Sequence, residues 1–374
     1  WSATVSWAGD DNYQAVTETF QLNVVKRFGK VIIALGGTGT EETIAWPRVK
    51  STAELVYKTF KARRFNPKED IYFLSSEPIL TEGAQAETTL KTLEFAITNW
   101  AGQEVNKNVP LYIYLLSHGL KQNFLVKQEG LQEDYLTPAL LDLWLDKLPD
   151  STPVTLIIEA CYSGSFIGAP LSGPNRTIIT SASADKQAMI GRRSSFSGFF
   201  FSEIEENHTI AEAFEKSKDQ MARNSMFFDQ SPQIEVNNNG KESEILNLRA
   251  LKDRRIPADI SSRSLRPVFR QQVPPVVLKS GENSHRLKVE IGRMVGSKEE
   301  EVTAEIIRPD FDPNRQFLDW KEIEEQIELV ELKMTDTEGN RSHYQLEYQG
   351  FDQVGDYTIV FQAKNVDGYA EPIQ

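Results

Sequence analysis

The chain has 374 residues, of which 40% are hydrophobic and 25% charged, and carries a net charge of −13. That length is long for one domain, and the composition is that of folded globular material, not of a disordered chain. The acidic balance argues against a sequence-independent nucleic-acid binder, and no apolar run approaches the roughly 18 residues of a transmembrane helix. The first residue is Trp, so the sequence is expected to be a processed or excised piece without any signal peptide.

In chain order, Ala3–Trp7 and Thr17–Val25 alternate apolar and polar residues around the turn Gly9-Asp10-Asp11-Asn12. They read as two strands, too few to bury a core, so residues 1–26 are expected to be the end of a β domain. Residues 27–250 alternate short apolar strands with helix-spaced segments. Strands are predicted at 31–35, 71–74, 111–116, 154–159 and 177–180. Helical faces are predicted from Ala53, Val56, Tyr57 and Phe60, from Leu90, Leu93, Ile97 and Trp100, and from Ile210, Phe214 and Met221. A further helix opens at Thr137-Pro138, an N-cap followed by Pro, and turns Leu141, Trp144, Leu145 and Leu148 inward. This alternation predicts an α/β fold with a mostly parallel sheet covered by helices on both faces. Residues 251–276, with Pro257, Pro267, Pro274 and Pro275, have linker composition. From 277 to 374, alternating strands at 286–291, 301–307, 329–332 and 357–363 predict an all-β sandwich, with a helical period only at Trp320–Gln326.

Two strand ends carry chemistry. The run Leu111–Leu116 leads into Ser117-His118-Gly119, and Val154–Glu159 leads into Ala160-Cys161. In an open parallel sheet, neighbouring strands deliver their ends to one edge, where ligands bind. His118 and Cys161 on that edge make a nucleophile with a base in reach. Cysteine occurs once in the chain and histidine four times. Most free cysteines are small buried hydrophobes, but the matched placement of His118 favours catalysis.

Ser117-His118-Gly119 together with Glu159-Ala160-Cys161-Tyr162-Ser163-Gly164-Ser165 resembles the catalytic pair of the caspase-like (clan CD) cysteine peptidases. The second motif is closest to the legumain (C13) family and its bacterial relatives. Thr180-Ser181-Ala182, Phe196-Ser197-Gly198-Phe199-Phe200 and Ser231-Pro232-Gln233-Ile234 agree with it. The resemblance spans roughly residues 28–240 and implies a caspase-like α/β domain at 27–250. It also implies flanking immunoglobulin-like domains, with residues 1–26 as the last hairpin of one and 277–374 as a C-terminal sandwich. The implied activity is that of an endopeptidase: Cys161 the nucleophile, His118 the acid–base, and the amides of Gly119 and Cys161 the oxyanion donors. The small residues after Cys161 are expected to turn the strand into a helix whose N-terminus favours thiolate. Arg48, Glu159 and Ser181 are the implied substrate-binding residues. Arg48 with Glu159 would suit Asn, or Asp at low pH, before the cleaved bond. Trp46 stands where legumains carry an Asn near the catalytic His, and Ser197-Gly198 where they carry a pocket Asp. Arg48 could equally select an acidic residue.

Other features read as ordinary. Gly36-Gly37-Thr38-Gly39 lacks the spacing of a phosphate-binding loop and is expected to be a loop after the first strand. Arg192-Arg193 reads as a polar loop. His208, His285 and His343 have no metal-ligand spacing, and Ser163 lies in no Gly-x-Ser-x-Gly elbow. No organic cofactor is implied. The β domains leave room for a structural Ca²⁺, though no ligand set demonstrates one. Partners are protein or peptide substrates, with no nucleic acid and no membrane span. The resemblance of the β segments implies an extracellular, cell-surface or periplasmic setting. A rival reading from another class is a caspase-like scaffold or adhesion module with little or no proteolysis.

Overall fold

The computed structural model describes residues 2–10, 14, 16–21, 28–37, 46–129, 132–190, 194–227, 229–237, 244–258, 267–270, 273–292, 301–311, 327–338, 341–365, 368–370 and 373. Strands β1 (Ser2–Trp7) and β2 (Val16–Gln21) pair antiparallel, as the alternation predicts.

Next come β3 (Lys30–Leu35), α1 (Trp46–Ala62), β4 (Ile71–Ser75), β5 (Ala86–Glu87) and α2 (Leu90–Phe95). Then follow β6 (Leu111–Leu116), β7 (Gly119–Leu120), β8 (Asn123–Glu129), β9 (Gln132–Leu136) and α3 (Pro138–Leu145). The segment closes with β10 (Val154–Glu159), β11 (Arg176–Thr180), α4 (Phe196–Glu205), α5 (Ile210–Ala222), β12 (Gln233–Val236) and α6 (Glu244–Leu251). Among the described residues the central sheet has the order β12-β11-β10-β6-β3-β4-β5, parallel except for β12. Leu35, Leu116 and Glu159 are in register, so three strands end in one row.

The strands are apolar throughout because both faces are covered. Val31, Ile33, Tyr112 and Tyr114 face one apolar cluster with Val56 and Phe60 of α1, while Ile32, Ala34, Ile113 and Leu156 face the other with Leu93, Ile97, Leu141 and Trp144. Each such buried side chain is worth roughly 1.5–3 kcal/mol. Thr137 caps α3 as expected, accepting from the Leu140 amide. The helix read through Trp100 is α for α2 only and widens into a π-helical turn at Ala96–Ala101.

Four elements depart from the sequence reading. α4 buries every residue from Phe196 to Ile204, so it shows no one-sided period. β7, β8 and β9 form a small antiparallel sheet directly after His118. Gly36 and Gly37 dock β8 at the sheet edge: Gly37 N donates to Val126 O at 3.3 Å, and a Cβ on Gly36 would lie 2.3 Å from Leu125 O. The rest of that glycine turn, Thr38-Gly39, lies outside the described residues, as does Arg192-Arg193. On the far edge, Asn247 of α6 covers β12, its side chain accepting from Val236 N (3.2 Å) and donating to Ile234 O (2.9 Å).

The C-terminal part is an antiparallel sheet of β13 (Val268–Phe269), β14 (His285–Gly292), β15 (Glu301–Ile307), β16 (Ile327–Glu338), β17 (Arg341–Tyr348), β18 (Thr358–Asn365) and β19 (Gly368–Tyr369). Its order among the described residues is β13-β14-β17-β16-β15-β18-β19. β16 pairs with β15 through Ile327–Leu332 and with β17 through Lys333–Glu338. β13 lies within the linker of the sequence reading, yet pairs with Ile291 and Gly292 of β14. The helical period at Trp320–Gln326 lies outside the described residues. Among the described residues no helix is long and apolar enough to cross a membrane.

Candidate active site

β6 and β10 run side by side in register from Leu111↔Val154 to Leu116↔Glu159. His118 and Cys161 each follow the last pair by two residues, so they leave the sheet at one level of one edge. The Ser117 amide extends the pairing by donating to Glu159 O at 3.3 Å. The Leu125 amide of β8 then holds His118 O at 3.0 Å.

Gly119 completes the juxtaposition. A Cβ built there would stand 2.4 Å from the Cys161 carbonyl oxygen and 3.0 Å from Ala160 Cβ. The residue must be glycine for the two strand ends to touch. The backbone of Cys161 itself occupies the space that a side chain at 119 would need.

Cys161 is partly exposed, and its Sγ accepts from the Ala188 amide at 3.4 Å and lies 3.7 Å from Ala188 O. Tyr162 takes a left-handed φ of 58°, and its amide donates to Lys186 O at 2.7 Å, which turns the chain sharply beyond Cys161. The expected helix after Cys161 is a single 3₁₀ turn, Ser163–Phe166. One turn carries little macrodipole, so the expected thiolate stabilisation is missing. Burial pushes the Cys161 thiol above its ordinary range, with the Ala188 amide opposing it. His118 is exposed at the surface, yet the protein packed around the ring pushes its pKa down, with the Glu133 carboxylate opposing. Both shifts favour the uncharged forms of thiol and imidazole in this resting geometry.

The other expected site residues lie at the same end of the sheet. Glu159 is fully buried beneath the edge, where Oε2 accepts from Tyr114 Oη and from the Ser197 amide, both at 3.2 Å. Burial pushes its carboxyl up to about 7 despite those donors. Ser181, fully buried, accepts from the Ala160 amide at 3.2 Å, so its hydroxyl braces the backbone beside Cys161. Arg48 is buried near the start of α1, the helix that runs back from this edge and packs on α4. Among the described residues, no group of three or more His, Cys, Asp or Glu is arranged to hold a metal.

Sequence reasoning missed the loop that grips the thiol. Ala188 acts through its backbone, which no residue type announces. Gln230 ties that loop down, accepting from Met189 N and donating to Ser181 O, each at 2.7 Å. Tyr114 was legible as a strand residue only; its position two residues from the strand end, on the face opposite Leu115, was the available signal.

Comparisons with known proteins bear on this geometry. No curated protein matches the chain. Among solved structures, protein GSU0716 from Geobacter sulfurreducens is 12% identical over 62% of this chain and 98% of its own, with a TM-score of 0.40. Catalytically inactive OgpA from Akkermansia muciniphila, crystallised with an O-glycopeptide substrate, is 10% identical over 93% of this chain and 92% of its own, with a TM-score of 0.18. Scores this low leave the fold to be read from the chain's own geometry. Residues 101–230 match the model of the Peptidase C13 family, a span that holds β6, His118, Gly119, β10 and Cys161. Through that segment the α/β domain is similar to the Peptidase C13 family.

Proposed function

We propose that the chain is a cysteine endopeptidase working through a Cys161/His118 dyad. The observation that carries this is the register: both residues stand two places beyond the pair Leu116↔Glu159, and Gly119 packs against the Cys161 backbone. Because burial favours the uncharged thiol and imidazole, His118 acts as general base during attack, not as half of a preformed ion pair. Sγ bonds to the scissile carbonyl carbon while its proton passes to His118. The carbonyl oxygen takes up negative charge, and the amides of Gly119 and Cys161 receive it. His118 then protonates the leaving nitrogen, the C–N bond breaks, and water releases the acyl group by the same route reversed.

Glu159 and Arg48 form the pocket for the residue before the cleaved bond. With its carboxyl titrating near 7, Glu159 can donate or accept, which suits an amide side chain such as Asn. Ser181 serves this pocket indirectly, through Ala160. The C-terminal antiparallel sheet is read as the immunoglobulin-like module of the sequence reading, and the setting as extracellular, cell-surface or periplasmic.

The scaffold reading draws on one observation, the thiol held by Ala188 with a raised pKa. A fluorogenic peptide library varied at the residue before the scissile bond, run on the chain and on Cys161→Ala, separates the two. Cleavage by the first and none by the second is expected. No cleavage by either, together with thiol alkylation no faster than that of free cysteine and unaffected by His118→Ala, would establish the scaffold.

A further inference from the structure

The outer face of the antiparallel sheet is not a solvent face along its whole length. On β15, Val302, Ala304 and Ile306 belong to that sheet's own core. Ile307, its cross-strand partner Ile327, and Val360 of β18 instead join the apolar cluster of the α/β domain, which includes Met189, Ile190 and Phe196. Glu305 stands in this outward row, opposite Val360, and is only 3% exposed. Its Oε2 accepts from the hydroxyl of Ser194, itself fully buried.

Ser194 precedes the N-cap of α4. Ser195 caps that helix by accepting from the Gly198 amide at 3.0 Å. Two residues on, the Ser197 amide donates to Glu159, and Glu159 stands two residues before Cys161. A connected polar seam therefore runs from the C-terminal sheet, through the first turn of α4, to the floor beneath the nucleophile. A buried carboxylate is costly, and an apolar side chain would join two apolar surfaces more tightly. What a carboxylate adds at such a contact is direction: it fixes the Ser194 hydroxyl, and with it the entry of the chain into α4.

We propose that Glu305 is a positioning residue for the pocket beneath Cys161, so that the C-terminal sheet is a working part of the specificity wall. The proposal rests on the peptidase reading for its kinetic consequence and on α4 alone for its structural one. Glu305→Ala frees Ser194 and lets the first turn of α4 shift, which moves Glu159 while leaving His118 and Cys161 on their own strands. Glu305→Gln keeps an acceptor for Ser194.

The test compares the full chain with Glu305→Ala, Glu305→Gln and Ser194→Ala. Amide hydrogen exchange across residues 194–199 is expected to quicken in Glu305→Ala and Ser194→Ala and to return toward the parent rate in Glu305→Gln. On the best peptide from the library, KM is expected to rise about tenfold or more in the two alanine variants and the preference for the residue before the cleaved bond to broaden, with iodoacetamide alkylation of Cys161 within about twofold of the parent. Unchanged exchange would overturn the proposal whether or not the chain cleaves peptides. Quickened exchange with unchanged KM and preference would also overturn it. If the parent cleaves nothing, the peptidase reading falls and the exchange result alone decides the coupling. Should Glu305→Ala fail to fold, Ser194→Ala, which removes one hydroxyl, carries the same comparison.

Discussion

In the parallel sheet every residue of Lys30–Leu35, Leu111–Leu116 and Val154–Glu159 is buried, whereas along His285–Gly292 of the antiparallel sheet Leu287, Val289 and Ile291 are buried and Arg286 and Lys288 exposed. The first pattern comes from helices on both faces, the second from one covered face. β15 belongs by sequence to the second kind and by burial to the first, since everything from Ala304 to Ile307 is buried, Glu305 included. The antiparallel sheet thus behaves as a separate body except where it meets the α/β domain, and that contact lies close to the chemistry.

Substitutions can break this comparison, starting at the sheet edge. Cys161→Ala is expected to abolish cleavage and His118→Ala to lower kcat/KM by about 10³-fold, measured on one fluorogenic peptide. Neither should lower the melting temperature by much. A large loss of stability in either would mean that the strand ends are structural. Gly119→Ala comes next. Its methyl would stand 2.4 Å from Cys161 O, so the two strand ends must part, and kcat is expected to fall about 10²-fold while the thiol still reacts with iodoacetamide.

At the contact between the sheets, Ile307→Ala should cost about 2–5 kcal/mol in urea denaturation. If the sheets unfold as one unit, the transition stays single; two separated transitions in the parent chain would show them to be independent. The smallest effect concerns Glu159. Its folded pKa of about 7 lies above the unfolded value for a glutamate, so the folded state holds the proton more tightly. The stabilisation this gives is complete below the unfolded pKa and is lost as pH rises through about 7. Glu159→Gln is therefore expected to match the parent near pH 4 and to exceed it by on the order of 2 kcal/mol at pH 8. The thiol supplies a further pH readout: because burial raises it, alkylation of Cys161 should still be climbing with pH where that of a free cysteine has levelled off. An inflection below neutrality would mean that a thiolate–imidazolium pair exists at rest.

Much of this architecture is legible in the sequence. Apolar runs mark the parallel strands, and the rarity of Cys and His draws the eye to the two residues at their ends. What escapes is whatever depends on surroundings. α4 is buried all round, so Phe196–Ile204 has no face to betray it. The strands after His118 mix Asp134 and Glu133 with Tyr135 and have little alternation to read. The turn after Cys161 contains small residues that would suit a helix start, but Ile167 is extended and Gly168 takes a positive φ, which ends the helix after one turn. Glu305 falls on the polar phase of an alternating strand, and only the neighbouring domain makes it a buried group.

Asn247 has a kinetic corollary. Its side-chain amide occupies Val236 N and Ile234 O, groups that β12 would otherwise present to another strand. A second copy cannot lengthen the sheet there without first displacing that amide. Turnover per molecule is thus expected to hold constant on serial dilution, where an enzyme assembled through that edge would lose it. Replacing Asn247 with Leu would uncover the strand and make light scattering, not catalysis, depend on protein concentration.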